Sequence, residues 1–540
     1  MPAGVQEKFA AGPVVVYAAA RRNGRRLAHG WAEGESALSA ITQVLDSVKA
    51  ALPDRRSVRV VDSMELVFAH DFREVSMRNK GWSSNIYRGI RGLEFSHEKG
   101  VERFSPTYML STNRDFLREV GIVRSQYRVK NKASLQDIRY RRFEADQWLV
   151  MLAGQDRQAS YAVRMERGNQ FVEPQSVDAS STRTLARLAT DWMSSNLHED
   201  GRMTYKYWPS ARRESTANNM IRQWMATIAM IRAARFWQDE ALMARAADNI
   251  DYNLSQFYRQ EENYGLIEWQ GKVKLGAVAL AALALAEHPQ RQRWQAYEQA
   301  MQRTIEYLWQ PNGAFQTFYK PAGRNDVQNF YPGEALLYWA TLFEESRDKA
   351  MQERIMASFR YYRDWHLKPS NRNPAFIPWH TQAYYKVWKI TENADLQAFI
   401  YQMNDWLLDE MQLPDSESEY RDTRGRFYNP DRPYGPPHAS STGVYLEGLI
   451  DAFELARATG DEKRSERYRQ AIRRGLRSVM QLQFVDEVDM FYVPDALRQR
   501  VRGGIRTTVY NNEIRCDNVQ HNLMGTLKIL QGFDEADYLE

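Results

Sequence analysis

The sequence predicts a mixed fold, with an N-terminal α/β or α+β domain over residues 1–170 followed by an all-α (α/α)6 toroid over residues 178–535. Three observations predict it. Six times between Ser180 and Leu530 the chain runs an amphipathic helical stretch, a loop of variable and often large size, an apolar helical stretch and a short turn. The turns after the apolar stretches are polar pairs that read as a C-cap followed at once by an N-cap. The first third of the chain has β-branched runs and none of this helical repeat.

In chain order, Pro13 to Ala20 (PVVVYAAA) and Ser57 to Leu66 (SVRVVDSMEL) read as strands and Ser36 to Leu52 as a helix. Gly168 to Ser180, polar and without a clear period, reads as the connector. The apolar helices begin near Asn218, Lys274, Gly333, Phe376, Ser441 and Val519. Their composition suits helices surrounded by protein. The stretches Ala241–Gln260, Arg291–Trp309, Asp348–Leu367, Asp395–Met411 and Asp461–Leu482 carry charges on one face and Leu, Tyr, Trp or Met on the other. The turns are Gln238-Asp239, Pro289-Gln290, Arg347-Asp348, Glu392-Asn393 and Gly460-Asp461. Six hairpins can close into a ring of apolar helices inside a ring of amphipathic ones, the alternative being an open helical array. In a closed ring all long loops leave from one face, where the apolar helices begin. Sites concentrate on loops held by a rigid scaffold, and the helix N-termini gathered there favour anionic ligands.

A chain of 540 residues exceeds the usual capacity of one core, which supports two domains. The formal charge of +5 is too small to suggest nucleic-acid binding, and no basic arm is present. The lone Cys516 excludes an internal disulfide and a cysteine-based metal cluster. No stretch approaches the length of a membrane span. The apolar run near residue 14 is followed by RRNGRR and reads as a strand, not a signal peptide; compartment is left open, because a leader could have been removed. Walker, GxGxxG, GxSxG and HExxH signatures are missing, so no cofactor and no metal are expected.

With 15 Trp and 29 Tyr, many rings fall in the long loops, among them Tyr207, Trp208, Trp269, Tyr331 and Tyr434. Such rings either pin loops to the rim or stack on the apolar faces of sugar rings. Lys206, Arg213, Lys274, Arg426, Arg506 and Arg515 accompany them and favour an acidic substrate, although loop carboxylates could neutralise them. Glu334 opens the third apolar helix in FYPGEALL, where it either complements the helix dipole or acts as an acid. Glu268 precedes the second, and Asp517 and His521 bracket the start of the sixth in RCDNVQHN. His380 and His438 mark the fourth and fifth, and Glu447 lies further along the fifth. Two carboxylates across a cleft serve glycoside cleavage. A Tyr or His with a carboxylate could instead remove a proton beside a uronate carboxylate.

The six hairpins, FYPGEALL, HASSTGVYLEGLIDAFELARATGD and RCDNVQHN resemble the six-hairpin (α/α)6 superfamily of carbohydrate-active enzymes over roughly residues 178–535. That group includes glycoside hydrolases, uronate-acting lyases and hydrolases, and sugar epimerases. The resemblance implies a catalytic cleft on the side where the inner helices begin, with Glu268, Glu334 or Asp517 as its acids. In the N-terminal part, RGIRGLEFSHEKGVERFSPTYML, FLREVGI and YRRFEADQW resemble the AMMECR family in their order. Its Arg-Gly-Cys-Ile-Gly signature is replaced by LAHGWAEG, so no activity is transferred and an accessory role in substrate contact or protein docking is implied.

The expected function is processing of an acidic, exopolysaccharide-like polysaccharide or oligosaccharide by glycoside hydrolysis. Glu334 with Glu268 or Asp517 forms the acid/base pair, and Tyr331 and His521 assist. Tyr207, Trp208, Arg213, Trp269, His380, Tyr434 and His438 bind substrate. A uronate C5-epimerase or lyase on the same cleft and a non-catalytic glycan-binding or assembly subunit are the alternatives.

Overall fold

A computed structural model describes residues 13–53, 60–98, 100–127, 138–153 and 159–539. The N-terminal part is an antiparallel sheet of eight strands: β1 (Val14–Arg22), β2 (Arg25–Gly34), β3 (Ser63–Glu74), β4 (Arg91–His97), β5 (Gly100–Phe104), β6 (Arg139–Met151), β7 (Tyr161–Glu166) and β8 (Asn169–Gln170). Its order is β2-β1-β3-β6-β4-β5, with β7 also paired to β6 and β8 to β7. All pairings are antiparallel, so of the two expected classes it is α+β. The unbroken apolar run of β1 reflects burial on both faces. Val14, Val16, Ala18 and Ala20 pack under α1 (Ala37–Ala50), whereas Tyr17 and Ala19 pack with Val67. The second expected strand, Ser57 to Leu66, is a strand from Ser63 onward, and residues 57–59 of that expectation lie outside the described residues. Helices α2 (Pro106–Thr112) and α3 (Phe116–Gln126) follow β5.

From residue 179 the chain builds the double ring. The outer helices are α4 (Ala179–Ser195), α6 (Glu240–Phe257), α8 (Gln295–Leu308), α10 (Lys349–His366), α12 (Ala394–Met411) and α14 (Glu462–Leu482). The inner helices are α5 (Met220–Trp237), α7 (Leu275–Glu287), α9 (Tyr331–Ser346), α11 (Ile377–Thr391), α13 (Ala439–Ala458) and α16 (Cys516–Gly532). A short α15 (Asp495–Val501) sits in the sixth long loop. Each inner helix packs against the next, and α16 packs against both α13 and α5, which closes the ring. The expectation of a toroid therefore holds and the open array does not occur.

The tight turns explain why each hairpin folds back at once. Gln238, Arg347 and Glu392 take the left-handed conformation at the inner-helix ends, with φ of 54°, 57° and 48°. Asp239, Asp348, Asn393 and Asp461 then cap the next helix through side-chain oxygens that accept backbone N–H bonds. On the opposite face the long loops pair into two small sheets. One joins β9 (Lys206–Trp208) and β10 (Arg213–Glu214) of the first loop to β15 (Arg506–Thr508) and β16 (Asn511–Arg515) of the sixth. The other joins β11 (Tyr258–Glu261), β12 (Tyr264–Trp269) and β13 (Lys272–Lys274) of the second to β14 (Phe318–Lys320) of the third.

The N-terminal sheet is fastened to the fifth and sixth long loops. Arg167 Nε donates to Asp422 at 2.6 Å with both side chains buried. Arg88 donates to the Tyr510 carbonyl at 2.9 Å, and Asn512 to the Leu110 carbonyl at 2.9 Å. Among the described residues no helix is long and apolar enough to cross a membrane.

Candidate functional site

The mouth of the ring is built from the first turns of the inner helices. Arg222 comes from α5, Lys274 from the residue before α7, Tyr331 and Glu334 from α9, Trp379 from α11, His438 from the N-cap of α13, and Asp517 and His521 from α16. Glu334 sits in the first turn of α9 and is 2% exposed. Burial raises its carboxyl to about 8, opposed only in part by the charges of Arg222 and Lys274. Its Oε2 has no hydrogen-bond partner. The space it occupies exists because α7 carries Gly276 there: a Cβ at that position would lie 1.9 Å from Glu334 Oε2 and 2.5 Å from Tyr331 Cδ1.

Asp517 does not pair with Glu334 as a second proton-exchanging acid. Arg222 Nε holds it at 2.9 Å, and Arg515 holds both oxygens at 2.8 and 2.6 Å. Although fully buried, the carboxyl is pushed well below its usual range by the two guanidiniums, so it stays ionised. It fixes Arg222 and Arg515, whose side chains remain 31% and 19% exposed.

His521 lies one turn into α16, and its Nδ1 is 2.8 Å from Glu447 Oε1 on α13. A carboxylate only accepts, so Nδ1 is the donor in this bond and Nε2 is the ring nitrogen that it leaves unused. Trp379 stands edge-on to the imidazole, with ring centroids 6.0 Å apart. Below, Lys528 donates to the Glu447 carbonyl at 2.7 Å and pairs with buried Asp451 at 2.6 Å, which fixes the helix behind the pair. His438 accepts from Ser440 through Nδ1. Its Nε2 has no partner, and burial lowers its pKa to about 4. Asp517, Arg515 and Arg222 are its charged neighbours and His521 lies beside it, which brings it into the same cluster. Burial and the neighbouring Glu334 push the Tyr331 hydroxyl far up, so it stays protonated as a donor.

The remaining expected residues scatter. Glu268 is in β12, 3.7 Å from Lys320 in the sheet of the second and third loops. Trp269, next to it, packs edge-on against Phe257. Trp208 donates to Glu513 at 2.8 Å, and the exposed Arg213 lies over its ring at 4.8 Å, so these two form part of the rim. Tyr207 cannot line a subsite: its neighbours in β9 face outward while its own ring turns inward, 2% exposed beneath Arg500. His380 is likewise corrected. It is fully buried, stacked on Phe376 at 3.5 Å and bonded to the Phe376 carbonyl, so it is wall and not surface. Tyr434 packs against Trp406 of outer helix α12.

Arg222 escaped sequence reasoning, although a signal existed: it is the one charge in the first turns of an otherwise apolar helix, MIRQWMATIAM. The Asp451–Lys528 pair in the wall left no local signal. Among the described residues no group of three or more His, Cys, Asp or Glu could hold a metal ion. The cluster offers a neutral carboxylic acid, an imidazole base oriented by a carboxylate, and two arginines. That set can donate a proton, accept one and bind an anionic group.

No family model matches the chain, and no curated protein matches its sequence. Among solved structures, a cellobiose 2-epimerase from Bacillus thermoamylovorans B4167 aligns with 13% identity over 65% of this chain and 98% of its own, with a TM-score of 0.49. The α-1,6-mannanase of Salegentibacter sp. HEL1_6 aligns with 9% identity over 65% and 98%, with a TM-score of 0.46. An unsaturated glucuronyl hydrolase specific for heparin aligns with 9% identity over 65% and 97%, with a TM-score of 0.47.

Proposed function

We propose that the chain is a carbohydrate-active enzyme that hydrolyses an acidic, exopolysaccharide-like glycan, with Glu334 as the general acid. The observation that carries this reading is a buried carboxyl held near 8 in the first turn of an inner helix, with an oxygen to spare. In the reaction Glu334 gives its proton to the leaving glycosidic oxygen. Water attacks the anomeric carbon and loses its proton to His521 Nε2, and Glu447 supports the imidazolium that forms. Arg222, Arg515 and Lys274 bind the acidic sugar, and Trp208 and Trp269 on the rim stack on its neighbours.

The His521–Glu447 bond also favours a second reading, C5-epimerisation or β-elimination of a uronate. The same imidazole would take the C5 proton and the arginines would hold the sugar carboxylate. The N-terminal residues 1–170 act in either case as an AMMECR-like accessory unit that steadies the fifth and sixth loops and offers a surface for a protein partner.

The test is a panel of acidic and neutral polysaccharides scored by product mass, with Glu334→Gln beside the parent. Hydrolysis predicts new reducing ends with water added, lost at least about 100-fold in the variant. Ultraviolet-absorbing products, or solvent deuterium at C5 without shortening, would transfer the site to the second reading. Turnover in Glu334→Gln within tenfold of the parent would remove Glu334 from the chemistry.

A further inference from the structure

Among the described residues of the double ring, the large apolar side chains left exposed are Tyr297, Tyr307, Phe330 and, at the chain end, Leu539. The first three belong to α8 and the third long loop, and so to one sector. A single exposed ring is ordinary, but this sector gathers more. Tyr264 of β12 lies 5.0 Å from Tyr307 of α8 and 6.0 Å from Tyr319 of β14, ring centre to ring centre, and 5.8 Å closes the triangle. At the open end of the same β11–β12 hairpin, Tyr258 stands edge-on to Tyr297 at 4.7 Å. Tyr297 and Tyr307 are separated by roughly 15 Å along α8, so the rings mark out an extended patch and not a point.

A ring that only pins a strand is covered, as Tyr207 is, whereas Tyr307 keeps 58% of its surface in water. Polar groups border the triangle. Glu261 accepts from the Tyr319 hydroxyl at 3.4 Å and pairs with Lys320, which also lies 3.7 Å from Glu268. All three charged side chains stay at least a third exposed. Their charges are set against one another, so what they offer a ligand is hydrogen bonding to neutral hydroxyls beside the rings. Open aromatic surface edged by such groups suits the C–H faces and hydroxyls of sugars. The patch is also joined to the mouth. Phe318, the residue before Tyr319, packs on Tyr331 with centroids 5.9 Å apart, and the exposed Phe330 immediately precedes Tyr331.

We propose that the tyrosine patch of α8 and the second and third loops is a second glycan-binding surface, taking uncharged sugars of a polysaccharide whose neighbouring part enters the ring mouth. This rests on the reading of the chain as a glycan-processing enzyme, and adds a site that holds polymer without touching the reacting bond.

The test is affinity electrophoresis of the full chain in native gels cast with soluble mannan, β-glucan or galactan, and with alginate as an acidic comparison. Retardation in at least one neutral gel is expected. Tyr307→Ala, alone and with Tyr264→Ala, should weaken it at least about fivefold, while Tyr307→Trp, which keeps a ring, should retain it. Tyr161→Ala removes an exposed tyrosine of the N-terminal sheet and should leave retardation within about twofold. Melting of each variant checks that it folds. Parental retardation in both tyrosine variants, or none in any gel, would overturn the patch. Tyrosine-dependent retardation that is stronger in alginate than in the neutral gels would overturn the choice of uncharged sugars. Retardation that depends on Tyr307 in a chain that turns over no glycan would support the patch and strike the enzyme reading alone.

Discussion

Glu334 illustrates how one side chain can carry both the reaction and a cost in stability. Its folded-state pKa of about 8 lies above the ordinary 4.5, so between those values the folded protein holds a proton that the unfolded chain has released. Stability contributed by that proton is complete below pH 4.5 and is lost as pH rises through about 8. Glu334→Gln should therefore gain thermal stability relative to the parent as pH rises from 5 to 8, measured by paired melts. Activity of the parent should fall on an alkaline limb near pH 8, because the ionised carboxylate cannot donate. Asp517 behaves oppositely, since two guanidiniums keep it charged. Asp517→Asn should cost roughly 1.5–3 kcal/mol in denaturant titration and weaken binding of acidic substrate through misplaced arginines. The position of Glu334 was legible from FYPGEALL, because helix starts are local. The fate of Asp517 was not: RCDNVQHN cannot reveal that Arg222, 295 residues away, closes on it.

Among the elements, the turns that join inner to outer helices were readable almost to the residue, since a left-handed cap and an Asp or Asn N-cap are neighbours in sequence. The facing of the rim strands was less so. Tyr207 and Trp208 are adjacent, and the period of two in β9 sends one inward and one outward; sequence fixes the alternation but not its phase. Inner-helix glycines set how closely the helices approach. A Cβ on Gly443 of α13 would lie 2.6 Å from the Asn522 backbone nitrogen of α16, next to His521. Gly276→Ala should gain roughly 0.5–1 kcal/mol in helix propensity yet lower kcat at least tenfold, because its methyl displaces Glu334 and Tyr331. A melting point near parental with kcat lowered would separate this local effect from unfolding; unchanged kcat would show that Glu334 can move without consequence.

For the whole molecule, the sheet-to-ring junction rests on buried charge. Arg167 and Asp422 are each about 1% exposed, and Asp422 belongs to the fifth long loop. Arg167→Ala should destabilise the protein by about 3–5 kcal/mol, because it leaves Asp422 uncompensated, and denaturation followed by tryptophan fluorescence would show it. No local pattern announced that junction, since its partners are 255 residues apart. The closing contact of α16 with α5 and α13 carries a further consequence for biosynthesis. On the ribosome the two flanks of that seam emerge early and late, so a growing chain presents greasy unpaired edges until the final inner helix arrives. Cotranslational chaperone contact, and abrupt solubilisation when residues 516–532 clear the exit tunnel, are what a nascent-chain series should register.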